Sequence, residues 1–231
     1  MVDLLRPLAR MRLVRRVVLP LVQRFVKGGR IRRGAGKGLK IELAGGNPGV
    51  LLGLSEPPVQ DFVARLGPSD VFYDVGANIG FFTLIAARNG AHAFAFEPHP
   101  VALAALKRNL AANHLAADIY GCALADRDGA GYLDAGAVHT AALAESGHPV
   151  QLRRLDGLEL PPPTAVKIDV DGAEAAVLVG MRETLKAHMP RLAVELHGTL
   201  AECEAILAEI GYRWRVVDDG GMPHLFTTTV P

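Results

Sequence analysis

The stretch Val71-Phe72-Tyr73-Asp74-Val75-Gly76-Ala77-Asn78-Ile79-Gly80-Phe81-Phe82 decides the fold. It opens on an apolar run, passes through two glycines and continues into helical patterning from Phe81 to Ala87, so it predicts a strand, a tight turn and a helix start. A strand-to-helix turn that passes close under a ligand needs a positive φ or a missing Cβ. Gly76 and Gly80 supply both. A dinucleotide fingerprint reads G-x-G-x-x-G. Here Asp74 stands two residues before the first glycine and only G-x-x-x-G follows. That spacing suits S-adenosylmethionine better than NAD. An NAD-dependent oxidoreductase fails further for want of a clear hydride-site constellation.

The next apolar run, Ala93-Phe94-Ala95-Phe96, ends at Glu97-Pro98, seventeen residues past Gly80. A carboxylate at a strand end can accept two hydrogen bonds from vicinal hydroxyls, so Glu97 is expected to hold a ribose diol. Dinucleotide enzymes and class I methyltransferases both use an acid there, and Glu97 alone does not separate them. His99 follows it and is expected to pack near an adenine. A third buried-type strand, Ala165-Val166-Lys167-Ile168, runs into the carboxylates Asp169, Asp171 and Glu174.

Taken together, Phe72 to Gly80, Phe96-Glu97-Pro98, Leu155-Asp156, Lys167-Ile168-Asp169-Val170-Asp171-Gly172-Ala173-Glu174 and Val194-Glu195 resemble, in order and spacing, the FkbM family of S-adenosylmethionine-dependent methyltransferases. The resemblance covers about residues 50 to 215, and the Lys167 to Glu174 block is its most specific element. That block commonly carries Glu where this chain has Asp171. The family implies O-methylation of a hydroxyl on a small-molecule natural product or sugar, with S-adenosylmethionine as cofactor.

The alternation of strands and helices reads as α/β. Strands are expected near Val71 to Val75, Ala93 to Glu97, Asp118 to Gly121, Thr164 to Val170 and Leu192 to Leu196. The helices expected are Ser55 to Leu66 with Ser55 as cap, Gly80 to Asn89, Val101 to Asn113, Glu174 to Ala187 and Leu200 to Ile210. Tyr212 to Val217 and Leu225 to Thr229 read as a final antiparallel pair. The expected fold is a class I methyltransferase: a Rossmann-like, doubly wound, mostly parallel seven-stranded sheet with an N-terminal helical arm. The irregular stretch from Cys122 to Pro163 is expected to form a hairpin near the site.

In open α/β sheets ligands bind outside the carboxyl ends of the strands. The cofactor is therefore expected to meet Asp74, Gly76, Ala77, Asn78 and Gly80 of the turn, and Glu97, Pro98 and His99 after the next strand. Cys122 and Ala123 past Tyr120, Glu56 of the first helix, and Asp169 complete the set. Asp169, Glu195 and His197 are the candidate catalytic residues. Histidine, with a pKa of ~6.5, can accept a hydroxyl proton as the oxygen attacks the sulfonium methyl. The spacing of Asp169, Asp171 and Glu174 could hold a divalent cation. Against this, Lys167 lies on the same strand face as Asp169 and offers an ion pair, and Glu174 would start a helix whose dipole favours an acid. No metal ligand is assigned.

With 231 residues, half of them hydrophobic, the chain can bury a substantial core and fits one domain. Cys122 and Cys203 are too few for a disulfide framework, and no apolar segment with a cleavage site follows the start, so a cytoplasmic location is expected. No run approaches the ~20 apolar residues that span a bilayer. Charge is uneven: residues 1–40 hold 12 of the 25 Lys and Arg but only Asp3 among the acids. Residues 1–40 are accordingly expected as a basic amphipathic arm and 41–231 as a single methyltransferase domain. Such an arm suits an anionic membrane surface or an acidic carrier protein, or else packs over the acidic core. The other expected partner is a small-molecule acceptor; a homo-oligomer is compatible and no nucleic acid is expected. The alternative to an enzyme is a non-catalytic module that holds the cofactor and docks a partner.

Overall fold

The computed structural model describes residues 28–134, 142–218 and 222–228. Residues 1–27, where the amphipathic helix of the basic arm is expected, lie outside them. The described chain opens on a hairpin, β1 (Gly28–Arg30) and β2 (Lys40–Glu42), then α1 (Gly49–Leu52) and α2 (Pro57–Ala64). Strand–helix alternation follows with β3 (Val71–Val75), α3 (Phe81–Arg88), β4 (His92–Phe96), α4 (Pro100–Ala112) and β5 (Asp118–Tyr120). An insertion carries β6 (Ala123–Leu124), β7 (Gly129–Leu133), β8 (Leu143–Ala144) and β9 (His148–Arg153). The chain resumes with β10 (Ala165–Ile168), α5 (Glu174–Gly180), α6 (Arg182–His188), β11 (Arg191–Glu195), α7 (Leu200–Ile210), β12 (Arg213–Val217) and β13 (His224–Thr228).

Among the described residues the main sheet has seven strands in the order β12-β13-β11-β10-β3-β4-β5. The strands from β11 through β5 run parallel, and β13 lies antiparallel between β11 and β12. Side chains alternate across a sheet, and the core divides accordingly. Phe72, Ala93, Ala95, Ala165, Ala193 and Phe226 pack on one face with residues of α2 and α3. Tyr73, Phe94, Phe96, Val166, Ile168, Leu192 and Val194 pack on the other with residues of α5 and α7.

Four expectations are corrected by long-range packing. The single helix expected over Glu174 to Ala187 is two, meeting at Met181, because α6 has its own cap. Asp156 accepts the N–H of Glu183 at 3.0 Å through one oxygen and the N–H and hydroxyl of Thr184 at 2.9 and 2.8 Å through the other. Ser55 does not cap α2; Glu56 takes the N-cap place with φ 45°, and no side-chain cap bond forms. The insertion is a four-stranded sheet, β6-β9-β7-β8, rather than a lone hairpin. Lastly, the boundary expected at residue 40 runs through β2. Ile31, Leu39 and Ile41 are buried in the domain core. Asn113, the C-cap of α4, clamps Lys40 from both sides, accepting its N–H at 2.8 Å and donating to its carbonyl at 2.7 Å. No helix among the described residues is long and apolar enough to cross a membrane.

Candidate functional site

The carboxyl ends of β3, β4 and β10 open into a cleft of about 640 Å³, counting its mouth to solvent. Its floor is the glycine turn. Gly76 has φ 73°, and a Cβ there would stand 1.8 Å from the carbonyl oxygen of Asp169, so only glycine lets the ends of β3 and β10 approach this closely. The N–H groups of Gly76 and Ala77 both donate to the Phe96 carbonyl, at 3.0 and 3.1 Å, tying the turn to the end of β4. Asn78 follows in the left-handed region with φ 50°, and its Oδ1 accepts the N–H of Ile79 at 2.8 Å, a local bond that makes this conformation tolerable for Asn.

Glu97 forms the wall beside this turn and is 6% exposed. Its Oε2 accepts the N–H of Asn78 and its Oε1 the N–H of His99, both at 2.7 Å. Burial pushes its carboxyl up to about 7, against the two backbone donors and Lys167, which favour the charged form. Apolar walls come from Val75, Phe96, Cys122 and Leu124, and from Leu133 and Leu143 of the inserted sheet. Burial also raises the Cys122 thiol, which leaves it an inert wall rather than a nucleophile. His99 caps α4 by accepting the N–H of Val101 at 3.2 Å; burial and then His148 lower its pKa.

At the other end of the cleft the carboxylates gather around Lys167. The ammonium, in a side chain 3% exposed, donates to the Gly76 carbonyl at 2.8 Å and lies 3.2 Å from Asp169 and 3.5 Å from Asp74. Burial works against its charge, but Asp169, Asp74 and Glu56 outweigh it and hold the pKa above the usual lysine range. Glu195 is pushed up to about 9, first by burial and then by Asp169 and Glu56. Next to them His197 binds Glu174 through Nδ1 at 2.8 Å, and its Nε2 stands 3.5 Å from Asp171 on the cleft wall. Glu174 is held in turn by the Thr199 hydroxyl at 2.6 Å and the Gly172 N–H at 3.0 Å. The bond to Glu174 raises the His197 pKa, and burial only partly opposes it.

Of the residues expected at the cofactor, Gly76, Asn78, Glu97, Pro98, His99, Cys122, Ala123 and Asp169 line the cleft. Ala77 and Gly80 lie buried behind it; a Cβ on Gly80 would meet Leu106 Cδ1 at 2.2 Å, so its role is to seat α4. Asp74 is fully buried, accepting the Thr83 hydroxyl at 2.6 Å, and braces the turn from beneath instead of facing the cleft. Glu56 is off the cleft wall, 3.7 Å from His224. Among the described residues Asp169, Asp171 and Glu174 do not converge as a ligand set, because Glu174 is spent on His197, Thr199 and Gly172. The sets that do converge are Asp169 with Glu195 and His197, and Glu56 with Glu195 and His224. Sequence reasoning missed His224, Thr83 and the two leucines from the insertion. Lys167, by contrast, was legible from its two-residue spacing from Asp169, and the ion pair is formed at 3.2 Å.

A family model described as Methyltransferase FkbM domain matches residues 74–214. The chain is similar to the 31-O-demethyl-FK506 methyltransferase FkbM of Streptomyces tacrolimicus, 45% identical over 67 residues, which are 28% of this chain and 26% of that one. The fold is shared with a methyltransferase FkbM from Methylobacillus flagellatus KT, with TM-score 0.54 and 21% identity over 71% of this chain and 44% of that one. It is shared too with an S-adenosylmethionine-dependent O-methyltransferase from Thermotoga maritima, with TM-score 0.51 and 15% identity over 76% of this chain and 66% of that one. The fold is thus that of the class I methyltransferases, as expected. The chain spans less than half of the Methylobacillus chain and about a quarter of the Streptomyces relative.

Proposed function

Because this chain belongs to the FkbM methyltransferase family, we propose that it moves a methyl group from S-adenosylmethionine to a hydroxyl of a small molecule, a natural product or a sugar. The observation that carries the reading is Glu97. Both its oxygens are gripped by backbone N–H groups at 2.7 Å, yet each keeps a lone pair for a ribose hydroxyl. The cleft fits the rest of the cofactor. Phe96, Leu133 and Leu143 offer an apolar slot for the adenine, and Asp169 offers a carboxylate to the ammonium of the methionine part. When bound, the cofactor supplies an electrophilic methyl on a sulfonium.

The residues of this chain supply alignment and a proton acceptor. Glu174 accepts from His197 Nδ1 and so fixes the tautomer and the ring, leaving Nε2 as the basic nitrogen beside Asp171. His197 Nε2 would take the proton of an acceptor hydroxyl held in line with that methyl. Glu195, held up near 9, is protonated at neutral pH and adds no second negative charge beside Asp169. Holding two reactants in line contributes most of the acceleration.

Calorimetry with S-adenosylhomocysteine and with NAD tests the cofactor half. Saturable binding of the first and none of the second is expected; tighter NAD binding would defeat the reading. Incorporation of label from methyl-tritiated S-adenosylmethionine into hydroxylated acceptors tests the chemistry. Binding without turnover on acceptors so screened would favour the non-catalytic module instead.

A further inference from the structure

We propose that Glu56, Glu195 and His224 form a binding site for one divalent transition-metal cation. The antiparallel insertion of β13 makes it possible. Because β13 runs against β11, its first residue lies at the edge where β11 ends, and His224 is the direct cross-strand partner of Glu195. Cross-strand partners present their side chains on the same face. Glu56 arrives on that face from the start of α2, and the ligand atoms of all three residues lie within 4.8 Å of one another. Donors bound to one ion at about 2.0–2.2 Å stand up to about 4.4 Å apart, so closure needs only small side-chain adjustments.

Unmet hydrogen bonding points to the same place. His224 is 2% exposed, and neither ring nitrogen has a hydrogen-bond partner among the described residues. Its Nε2 is 3.7 Å from Glu56 Oε2, too long for a hydrogen bond, and that oxygen is likewise without a hydrogen-bond partner. The hydroxyl of Ser55, one residue earlier, is a further buried polar atom in this condition. Buried polar atoms are normally partnered. Here an imidazole and a carboxylate oxygen without a hydrogen-bond partner face each other at 3.7 Å.

The neighbouring set of Asp169, Glu195 and His197 is less suited to an ion. His197 is already committed to Glu174 at 2.8 Å, and Asp169 to Lys167 at 3.2 Å. The Lys167 ammonium is engaged by Gly76, Asp74 and Asp169, and an ion bound beside it would displace the proton that Glu195 carries. One imidazole with two carboxylates favours Mn²⁺, Fe²⁺, Co²⁺ or Zn²⁺ over Ca²⁺ or Mg²⁺, whose ligands are oxygens.

The site is a claim about binding and needs no acceptor or methyl transfer to be tested. Full-length protein, stripped with chelator, is titrated with Mn²⁺ while electron paramagnetic resonance follows the loss of the free-ion signal. One saturable ion per chain is expected, with spin-echo modulation from one imidazole nitrogen and a raised melting temperature. His224→Gln should remove the nitrogen modulation and weaken binding by at least ~100-fold, and Glu56→Gln, at the partly exposed start of α2, should also weaken it strongly. Retained binding of S-adenosylhomocysteine marks each variant as folded. His197→Asn should leave Mn²⁺ affinity unchanged. No saturable binding to the wild type overturns the proposal, and so does loss of binding in His197→Asn with retention in His224→Gln.

Discussion

Replacing Glu97 by Gln tests the cofactor wall through a single pair of atoms. The carboxylate spends one lone pair of each oxygen on a backbone N–H, at 2.7 Å from Asn78 and 2.7 Å from His99. An amide of the same shape has one oxygen and one NH₂, so one of those two N–H groups would face a donor. The orphaned N–H costs about 1–3 kcal/mol, and the lost charge-assisted bond to a ribose hydroxyl about 1.5–3 kcal/mol. The second quantity sets the loss of affinity for S-adenosylhomocysteine at roughly 10- to 150-fold. Acidity gives an independent arm. Burial lifts the wild-type carboxyl to about 7, and hydroxyl donors favour its ionised form. Affinity should therefore fall as pH drops from 8 to 6 in the wild type and stay flat in Glu97→Gln. The sign for stability is opposite. A carboxyl raised in the native state stabilises the fold below its unfolded pKa, and that contribution is lost as pH rises through about 7; it amounts to about 3 kcal/mol. Calorimetric titrations of both proteins between pH 6 and 8 decide the matter. Equal affinities, or wild-type affinity that does not change over that range, would refute the assignment of Glu97 to the ribose.

Gly76→Ala should lower the melting temperature and abolish cofactor binding, because its Cβ would sit 1.8 Å from a backbone carbonyl that cannot swing aside; a cost on the order of 2–3 kcal/mol is expected, and wild-type melting would show that β3 and β10 are less tightly joined. Asp156→Ala removes the acceptor for three donors at the start of α6 and should cost about 0.5–2 kcal/mol in urea unfolding with cofactor affinity unchanged. His197→Ala should reduce the single-turnover rate ~10²- to 10⁴-fold while leaving the dissociation constant for S-adenosylhomocysteine as it was. Since Glu174 raises the His197 pKa, kcat should climb with pH along a limb above the ordinary histidine range. A limb set by free imidazole would show that the two residues are not coupled.

The turn at Asp74 to Gly80 and the acid at Glu97 were legible because they are local. A short apolar run, a pair of glycines at a turn and a carboxylate at a strand end announce themselves within a dozen residues. The strands expected from that pattern end within one or two residues of the observed ones. Features assembled across the sequence were not legible. Between Glu174 and Ala187 only Gly180 hints at a break, and the cap that permits it belongs to Asp156, 27 residues before Glu183. Nor do Ile31 and Leu39 declare that they belong to the core; that follows from Asn113, at the end of α4, holding Lys40. The fate of the carboxylates shows most clearly why spacing misleads. Asp169, Asp171 and Glu174 are close in sequence, but the turn after β10 sends Glu174 toward His197 and Thr199. Glu56 and His224 stand near opposite ends of the chain and meet because β13 enters the sheet backwards. In sequence, a histidine opening a last strand looks like any other strand residue. Its meaning comes from strand direction, for only an antiparallel strand brings its first residue to the edge where the parallel strands deliver their last.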